Sequence, residues 1–259
     1  MIGEVERYLL NKIKEDGAIH MTLIDPEDVT PRSASTTARE AEECQSSAIM
    51  IGGTTLVSTM HLDKVVKAVK SVVEIPVILF PNNITGISKY ADAIWFMSLL
   101  NSSDPYFIAG AQVLGAPLVR KLGLEPIPMG YIIVGEAGAV GVIGRACSIP
   151  HNKPELAASY ALAAQYLGMR FVYLEAGSGA KQAVSKEMIR AVKNVLEVPL
   201  IVGGGIRTGQ HAKEAVAAGA DIVVTGTVLE ESSSRKEIKE RIMRIIEGIK
   251  EGVNRRYRR

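Results

Sequence analysis

The 259-residue sequence predicts a single α/β domain spanning residues 1–259, a (β/α)8 TIM barrel, and three observations point to that fold class. Short apolar runs rich in β-branched residues recur eight times, and segments of helical character separate them. Strands with one solvent-exposed face alternate apolar and polar residues, whereas these runs are continuously apolar. Continuous apolar runs are typical of parallel strands buried on both sides. Eight such units in about 250 residues match the usual size of this barrel. A doubly wound open sheet is the competing architecture.

The predicted elements follow one another in a regular order. The strands are 18–25, 48–52, 77–81, 93–97, 130–134, 171–175, 200–203 and 221–225. A leading helix near 3–15 precedes helices near 31–46, 61–73, 104–121, 154–168, 185–196 and 209–219. In the final segment, 234–254, isoleucines recur at helical spacing on one face, which predicts an amphipathic helix that docks on the barrel.

One connection departs from the ideal barrel. Only residues 82–92 separate the third and fourth predicted strands. That length is too short for a full helix with two loops, so the sequence predicts a short or irregular third crossover.

Composition excludes several classes of protein. Hydrophobic residues make up 47% of the chain, and 30 Lys and Arg nearly balance 28 Asp and Glu, which argues against disorder. Only 5% of residues are aromatic and no strong basic footprint exists, which disfavours nucleic-acid binding. Cys44 and Cys147 are far apart, and the four histidines lack zinc-site spacing, so neither a disulfide nor a zinc site is expected. These features favour a cytoplasmic protein.

No membrane span is expected either. The N-terminus lacks the order of a signal peptide. The apolar stretch 129–146 is about long enough to span a bilayer, but it carries Glu136, Arg145 and five glycines, which favours a strand and a glycine-rich loop. The charged end, 254–259, is interpreted as a solvated tail, with weak transient contact with an anionic membrane as the alternative.

The loops after the last two strands are candidates for a phosphate site. Functional residues of TIM barrels lie at the C-terminal ends of the strands. There the sequence reads Gly203-Gly204-Gly205-Ile206-Arg207 and Thr225-Gly226-Thr227. Glycines let backbone N–H groups approach an anion, although each loop alone is equally explained as a tight turn. Arg207 either adds charge to this site or covers the rim.

The sixth strand supplies a candidate base. By strand alternation Tyr173 and Glu175 share one face, so a phenol and a carboxylate point the same way at the reactive end. Glu175 can accept a proton from a substrate hydroxyl, and Ser178 can contact phosphate or glycerol oxygens. The alternative is a Glu175 paired with a Lys or Arg on the rim.

The ends of the first two strands suggest a magnesium site. Asp25 lies at the exit of the first strand, and Thr54 follows the second. A lone carboxylate suits an Mg2+ ion that keeps most of its waters and bridges to a diphosphate. Taken alone, each residue is better explained as part of an ordinary turn or cap.

Together these motifs resemble the geranylgeranylglyceryl phosphate synthase family over essentially the whole chain. The resemblance lies in Thr22-Leu23-Ile24-Asp25-Pro26, Gly52-Gly53-Thr54, Tyr173-Leu174-Glu175-Ala176-Gly177-Ser178-Gly179, Gly203-Gly204-Gly205-Ile206-Arg207 and Thr225-Gly226-Thr227. The tracts at 80–83 and 95–98 look like the archaeal branch rather than the bacterial heptaprenylglyceryl phosphate synthases. The short third crossover agrees, since the family's barrel lacks a regular third helix.

The resemblance implies an Mg2+-dependent prenyltransferase of archaeal ether-lipid biosynthesis. It would join the C3 hydroxyl of sn-glycerol 1-phosphate to the geranylgeranyl group of geranylgeranyl diphosphate and release diphosphate. Asp25 and Thr54 are then the Mg2+ positions, and Glu175 and Tyr173 are the catalytic residues. The implied substrate-binding residues are Tyr173, Leu174, Glu175, Ala176, Gly177, Ser178, Gly179, Gly203, Gly204, Thr225 and Gly226. The resemblance also implies a homo-oligomer, either a dimer or a hexamer.

Two further interpretations concern the prenyl tail. The tail needs a long apolar groove, and the glycine-rich loop 135–144 is hypothesised to form or cover it. Trp95 is interpreted as an assembly or packing residue, with a core position or a stop for the prenyl chain as alternatives.

Two rival functions use the same residues. A sugar-phosphate isomerase would employ Asp25 and Glu175 as an acid–base pair on one small substrate. A non-catalytic barrel would bind a phosphorylated metabolite without turnover. Dependence on Mg2+ and on a prenyl diphosphate separates the transferase from both.

Overall fold

Eight parallel strands close into a barrel in chain order, which confirms the predicted fold class. The computed structural model describes residues 2–55, 58–136, 138–226 and 234–257. The strands are β1 Ile19–Ile24, β2 Ala48–Ile51, β3 Val77–Leu79, β4 Ala93–Leu99, β5 Glu125–Ile133, β6 Phe171–Glu175, β7 Leu200–Gly203 and β8 Ile222–Thr225. The helices are α1 Glu4–Asp16, α2 Pro31–Glu43, α3 Thr59–Lys70, α4 Ala111–Leu122, α5 Gly138–Ile143, α6 Pro154–Tyr166, α7 Lys186–Lys193, α8 Gly209–Ala218 and α9 Arg235–Tyr257.

Strand β5 begins at Glu125, earlier than the predicted start at residue 130. Pro126 and Pro128 disfavour a strand in the sequence, because proline cannot donate to a ladder. The neighbouring strand β6 begins only opposite Met129, so the prolines lie where one side of β5 has no partner strand. The early part of β5 pairs with β4 alone.

The third crossover is irregular, as predicted. Between β3 and β4 the described chain forms a single 3-10 turn, Ile84–Gly86, in place of a helix. The next crossover opens with a π-helical turn, Tyr106–Gly110, which runs directly into α4. Because no full helix covers the sheet at the third crossover, space remains beside β3 and β4.

Strand alternation divides the core into two layers. Side chains such as Met21, Ile78, Trp95 and Phe171 fill the inside of the barrel. Their sequence neighbours point outward and pack beneath the helices. This alternation decides which residues of each strand can reach a ligand at the mouth of the barrel.

Helix α9 docks on the barrel through the predicted isoleucine face. Ile242, Ile245 and Ile249 are buried against it. Gly248 lies so close to Gly209 of α8 that a Cβ at position 248 would be 2.0 Å from the Gly209 carbonyl oxygen. None of the helices in the described ranges has the length and apolar character needed to cross a bilayer.

Candidate active site

A cavity of about 1510 Å3, counted out to its open mouth, lies at the C-terminal ends of the strands. It brings together predicted residues from five strand ends. Asp25, Thr54, Tyr173, Glu175, Ser178, Gly179, Gly204, Thr225 and Gly226 all line it. The predicted magnesium, acid–base and phosphate positions therefore share one chamber.

Four other predicted residues lie around the cavity rather than along its wall. The side chains of Leu174 and Ala176 point outward into the layer beneath the helices, so they cannot touch a ligand inside the barrel. Gly203 backs the ring of Tyr173, since a Cβ there would be 2.0 Å from the Tyr173 hydroxyl oxygen. Gly177 contributes its N–H group to Glu175. Thr227 lies outside the described residues.

Glu175 is a buried carboxylate with several hydrogen-bond donors around it. The Gly177 N–H donates to its Oε1 at 2.6 Å. The hydroxyl groups of Tyr173 and Tyr131 lie near the carboxylate and lower its pKa. Burial raises the pKa of Glu175 above the usual value, and the Gly177 N–H and the two tyrosine hydroxyls oppose that rise in part. No Lys or Arg lies among the groups that shift it, so the alternative of a rim ion pair is not what the described residues form.

Tyr131 is a site residue that the sequence analysis missed. It lies on β5 directly opposite Tyr173 of β6 and points into the barrel. Its position two residues before Ile133, on the interior face of a predicted strand, is the signal that could have identified it.

Three aromatic rings line the cavity beside Glu175. The rings of Phe80 and Tyr173 stack with centroids 5.6 Å apart, and Tyr131 meets both edge to face at 5.5 and 5.3 Å. Burial raises the pKa of the Tyr131 and Tyr173 hydroxyls well above their usual value, and the nearby Glu175 adds to the rise. Both phenols therefore keep their protons and act as donors.

The loop after β7 approaches the loop after β6 very closely. Gly204 and Gly205 have φ angles of +78° and +71°, in the left-handed region that favours glycine. Arg207 lines the rim of the cavity, and its Nη2 donates to the Gly179 carbonyl at 3.0 Å. The guanidinium thus links the two loops and brings positive charge to the predicted phosphate site.

Asp25 and Thr54 follow the neighbouring strands β1 and β2, and both line the cavity. The Glu27 N–H donates to Asp25 Oδ1 at 3.0 Å, which leaves Oδ2 facing Gly53. A Cβ at Gly53 would be 2.0 Å from Oδ2, so only glycine leaves this oxygen accessible. Burial raises the pKa of Asp25, which is the setting of a carboxylate that lacks a positive partner.

Asp25 and Thr54 suit Mg2+ better than a metal whose ligands all come from the protein. Within the described residues no group of three or more His, Cys, Asp or Glu could hold a metal ion. Mg2+ commonly binds through one or two carboxylates and takes its remaining ligands from water and substrate phosphates. One carboxylate with a neighbouring hydroxyl, facing a chamber that also has phosphate-type loops, meets that description.

The rest of the cavity is apolar and extends towards α4. Ile84, Ile87, Phe96 and Val119 line this apolar arm, which occupies the space left by the irregular third crossover. Gly115 of α4 faces the same space, and a Cβ there would be 3.4 Å from Ile87 Cδ1. The arm gives the chamber two chemically distinct ends.

The glycine-rich loop and Trp95 both contribute to this chamber. The loop folds into the short helix α5, and its Val140, Ile143 and Gly144 line the cavity. This placement supports the hypothesis that the loop forms part of the groove. Trp95 is 0% exposed, meets Phe171 edge to face at 5.2 Å and lines the cavity, so it lies inside the barrel rather than on an exposed surface.

Comparison with known proteins places this geometry among enzymes of one type. The model of the PcrB family matches residues 11–248. The geranylgeranylglyceryl phosphate synthase of Thermofilum pendens is 54% identical over 258 residues, covering 100% of both chains. That of Thermococcus sibiricus is 55% identical over 250 residues, covering 96% of this chain and 98% of the relative.

Solved structures agree with the sequence comparison. The (S)-3-O-geranylgeranylglyceryl phosphate synthase from Thermoplasma acidophilum, in complex with its substrate sn-glycerol 1-phosphate, matches with a TM-score of 0.91 at 42% identity. The match covers 97% of this chain and 100% of that one. A thiamine phosphate pyrophosphorylase from Pyrococcus furiosus, 12% identical with a TM-score of 0.60, shares the fold alone.

Proposed function

The chain belongs to the PcrB family, and we propose that it is a geranylgeranylglyceryl phosphate synthase that depends on Mg2+. In this reaction the C3 oxygen of sn-glycerol 1-phosphate attaches to C1 of the geranylgeranyl group. The bond from C1 to diphosphate breaks, and its electron pair leaves with diphosphate. The hydroxyl proton passes to a base. The product is an ether lipid precursor.

The observation that carries this proposal is a single cavity that joins an apolar arm to a buried carboxylate and two glycine-rich loops. A sugar-phosphate isomerase needs the loops and the carboxylate but has no use for an apolar arm of this extent. The full-length identity of 54% to a relative of this name supports the same assignment.

The prenyl acceptor, sn-glycerol 1-phosphate, binds at the loops after β7 and β8. Backbone N–H groups near Gly204 and Gly226 are suited to phosphate oxygens, and Arg207 adds a positive charge at the rim. With the phosphate held there, the glycerol chain extends towards β6. This arrangement directs the C3 hydroxyl to Glu175.

Glu175 acts as the general base. Its Oε1 is fixed by the Gly177 N–H, and the Tyr131 and Tyr173 hydroxyls near the carboxylate favour its charged form. A base positioned in this way contributes roughly 10²- to 10⁴-fold to a rate. The raised pKa makes Glu175 a stronger proton acceptor than an exposed glutamate.

The prenyl donor, geranylgeranyl diphosphate, binds across the rest of the cavity. Asp25 and Thr54 would hold the Mg2+, which when bound neutralises the charge that develops on the departing diphosphate. The apolar arm along α4 takes the prenyl chain and keeps water from the reacting carbon. Phe80 and Tyr131 line the same cavity, and an aromatic ring face beside the allylic group would stabilise its positive charge.

The assembly and location of the enzyme belong to the same proposal. We expect a homo-oligomer, a dimer or a hexamer, acting in the cytoplasm with transient contact with the membrane that receives its product. Light scattering on the purified chain measures the mass and checks the first expectation.

The activity is tested by incubating purified protein with sn-glycerol 1-phosphate, labelled geranylgeranyl diphosphate and Mg2+, followed by extraction into organic solvent. We expect a labelled ether lipid that disappears when any one of the three is left out. Folded protein that yields no labelled lipid would overturn the proposal. Binding of sn-glycerol 1-phosphate without turnover would favour the non-catalytic barrel.

A further inference from the structure

A chain of four buried polar side chains runs along the outside of the barrel between β1 and β8. Its members are Ser46, His20, Thr22 and Thr225, each 3% exposed or less. His20 Nδ1 is hydrogen bonded to Ser46 Oγ at 2.7 Å, and His20 Nε2 to Thr225 Oγ1 at 2.8 Å. Ser46 Oγ is also 3.0 Å from Thr22 Oγ1. We call this set the polar chain.

The polar chain lies where a TIM barrel normally buries apolar side chains. Ile19 and Met21 point into the barrel, so their neighbour His20 points outward, into the layer that α2 and α9 cover. Burying polar groups in such a layer is unfavourable unless each one is hydrogen bonded. Here every member is hydrogen bonded to another member of the polar chain, so the arrangement is specific rather than accidental.

His20 is held as an uncharged imidazole. Burial lowers its pKa to about 3, and no charged group contributes to that shift. An uncharged imidazole has one donor nitrogen and one acceptor nitrogen, and hydroxyl groups can complement either tautomer. The polar chain therefore fixes the orientation of its members without placing a charge beneath the active site.

One end of the polar chain reaches the candidate phosphate site. Thr225 is the last residue of β8, and Gly226 follows it at the wall of the cavity. Gly226 is close to β1, since a Cβ there would be 3.3 Å from the Leu23 carbonyl oxygen. Small changes at the end of β8 would consequently change the direction of the backbone that faces the phosphate.

We propose that His20 is a positioning residue for phosphate binding, which fixes Thr225 so that the end of β8 presents its backbone to the phosphate of the acceptor. His20 does not touch the substrate; it acts through its hydrogen bond to Thr225. The inference rests on the proposed function, which places the acceptor phosphate at Thr225 and Gly226.

Two amide variants separate the two ends of the imidazole. The amide of Gln reaches about as far as Nε2, so His20→Gln retains a partner for Thr225. The amide of Asn reaches only as far as Nδ1, so His20→Asn retains a partner for Ser46 alone. Thr225→Val removes the hydroxyl from the other side of the same hydrogen bond while keeping the shape of the side chain.

The experiment is a calorimetric titration of sn-glycerol 1-phosphate into each full-length variant, together with steady-state kinetics. We expect His20→Asn and Thr225→Val each to weaken binding about tenfold, which corresponds to about 1.4 kcal/mol. His20→Gln should stay within about threefold of the wild type, and the double variant His20→Asn/Thr225→Val should lose no more than either single one. The KM for geranylgeranyl diphosphate should stay within about twofold throughout, because His20 acts only on the phosphate end.

Equal losses in His20→Asn and His20→Gln, additive losses in the double variant, or an unchanged His20→Asn would overturn the inference. Thermal unfolding of each variant shows that the folded protein is being compared. If the wild type binds sn-glycerol 1-phosphate but forms no ether lipid, the proposed function fails while the binding comparison still decides the role of His20. A wild type that binds neither sn-glycerol 1-phosphate nor inorganic phosphate overturns both.

Discussion

Gly204 lies so close to Glu175 that a Cβ at Gly204 would be 2.5 Å from Glu175 Oε1. The same Cβ would be 2.7 Å from the backbone nitrogen of Gly177, which donates to Glu175. The loop after β7 thus touches the base and its donor at once. The phosphate site and the acid–base site are consequently one packed unit.

This contact predicts a severe effect of Gly204→Ala. The methyl group would push against Glu175 and Gly177 and would also occupy a left-handed φ of +78°. We expect kcat/KM for sn-glycerol 1-phosphate to fall by at least about a hundredfold, in keeping with the misplacement of a catalytic group.

The matched control is Gly123→Ala, which has a φ of +71° but no atom within 4 Å of the added Cβ. It carries the same backbone strain, roughly 1 kcal/mol, far from the cavity. Its activity should match the wild type. If both variants lose activity alike, backbone strain rather than the contact with Glu175 is responsible.

Asp25→Asn tests the magnesium assignment. The variant keeps the shape of the side chain but loses the charge that faces Gly53. We expect the Mg2+ concentration for half-maximal rate to rise by at least about tenfold, as when a group that supports a metal is lost. Asp28→Asn removes an equal charge from an exposed position in the same turn and should leave that concentration unchanged. A similar response from both variants would contradict a specific role for Asp25.

Gly115→Leu tests whether the apolar arm holds the prenyl chain. The new side chain would fill the space beside Ile87. The KM for geranylgeranyl diphosphate should rise by about tenfold or more while the affinity for sn-glycerol 1-phosphate is retained. Val113→Leu enlarges a 70% exposed residue of the same helix and serves as the control. Normal kinetics with Gly115→Leu would place the prenyl chain elsewhere.

The pH dependence of kcat reports on Glu175. Because burial raises its pKa in the folded protein, the carboxylate becomes available as a base only above the usual range for glutamate. The rate should therefore rise with pH through this raised pKa. Because the pKa of Glu175 is higher in the folded protein than in the unfolded chain, the protonated form favours folding. By linkage, this contribution to the free energy of unfolding is fully present below the pKa of the unfolded chain and is lost as pH rises through the pKa of the folded protein.

Tyr131→Phe sharpens this test, because it removes a hydroxyl group that lowers the pKa of Glu175 but keeps the ring. The rising limb of the pH–rate profile should move to higher pH. A limb that stays in place or moves to lower pH would show that Glu175 does not set it.

The strands could be read from the sequence because parallel strands buried on both faces appear as continuous apolar runs. The start of β5 could not, since Pro126 and Pro128 are tolerated only because β6 begins late. The rule that functional residues follow strand ends located Asp25, Glu175 and the glycine loops. The short connection at 82–92 predicted the irregular third crossover, but not that its turn at 84–86 would line an apolar arm of the cavity.

Contacts between strands were the part that sequence reasoning missed. Tyr131 reaches Glu175 through the register of two neighbouring strands, and His20 bonds to a residue 205 positions away. Such pairs depend on how the barrel closes, which no local pattern records. Leu174 shows the opposite error. It was included because it lies within the continuous motif 173–179, but strand alternation turns its side chain away from the cavity.

In the proposed reaction Glu175 takes the proton of the attacking hydroxyl, and single-turnover experiments on Glu175→Gln measure that role. The amide keeps an acceptor for the Gly177 N–H but cannot serve as the base. With sn-glycerol 1-phosphate, geranylgeranyl diphosphate and Mg2+ present at saturation, we expect ether formation to slow by at least about a hundredfold. Calorimetry should show the affinity for sn-glycerol 1-phosphate within about threefold of the wild type. A single-turnover rate close to that of the wild type, or a loss of affinity as large as the loss of rate, would show that Glu175 is not the base.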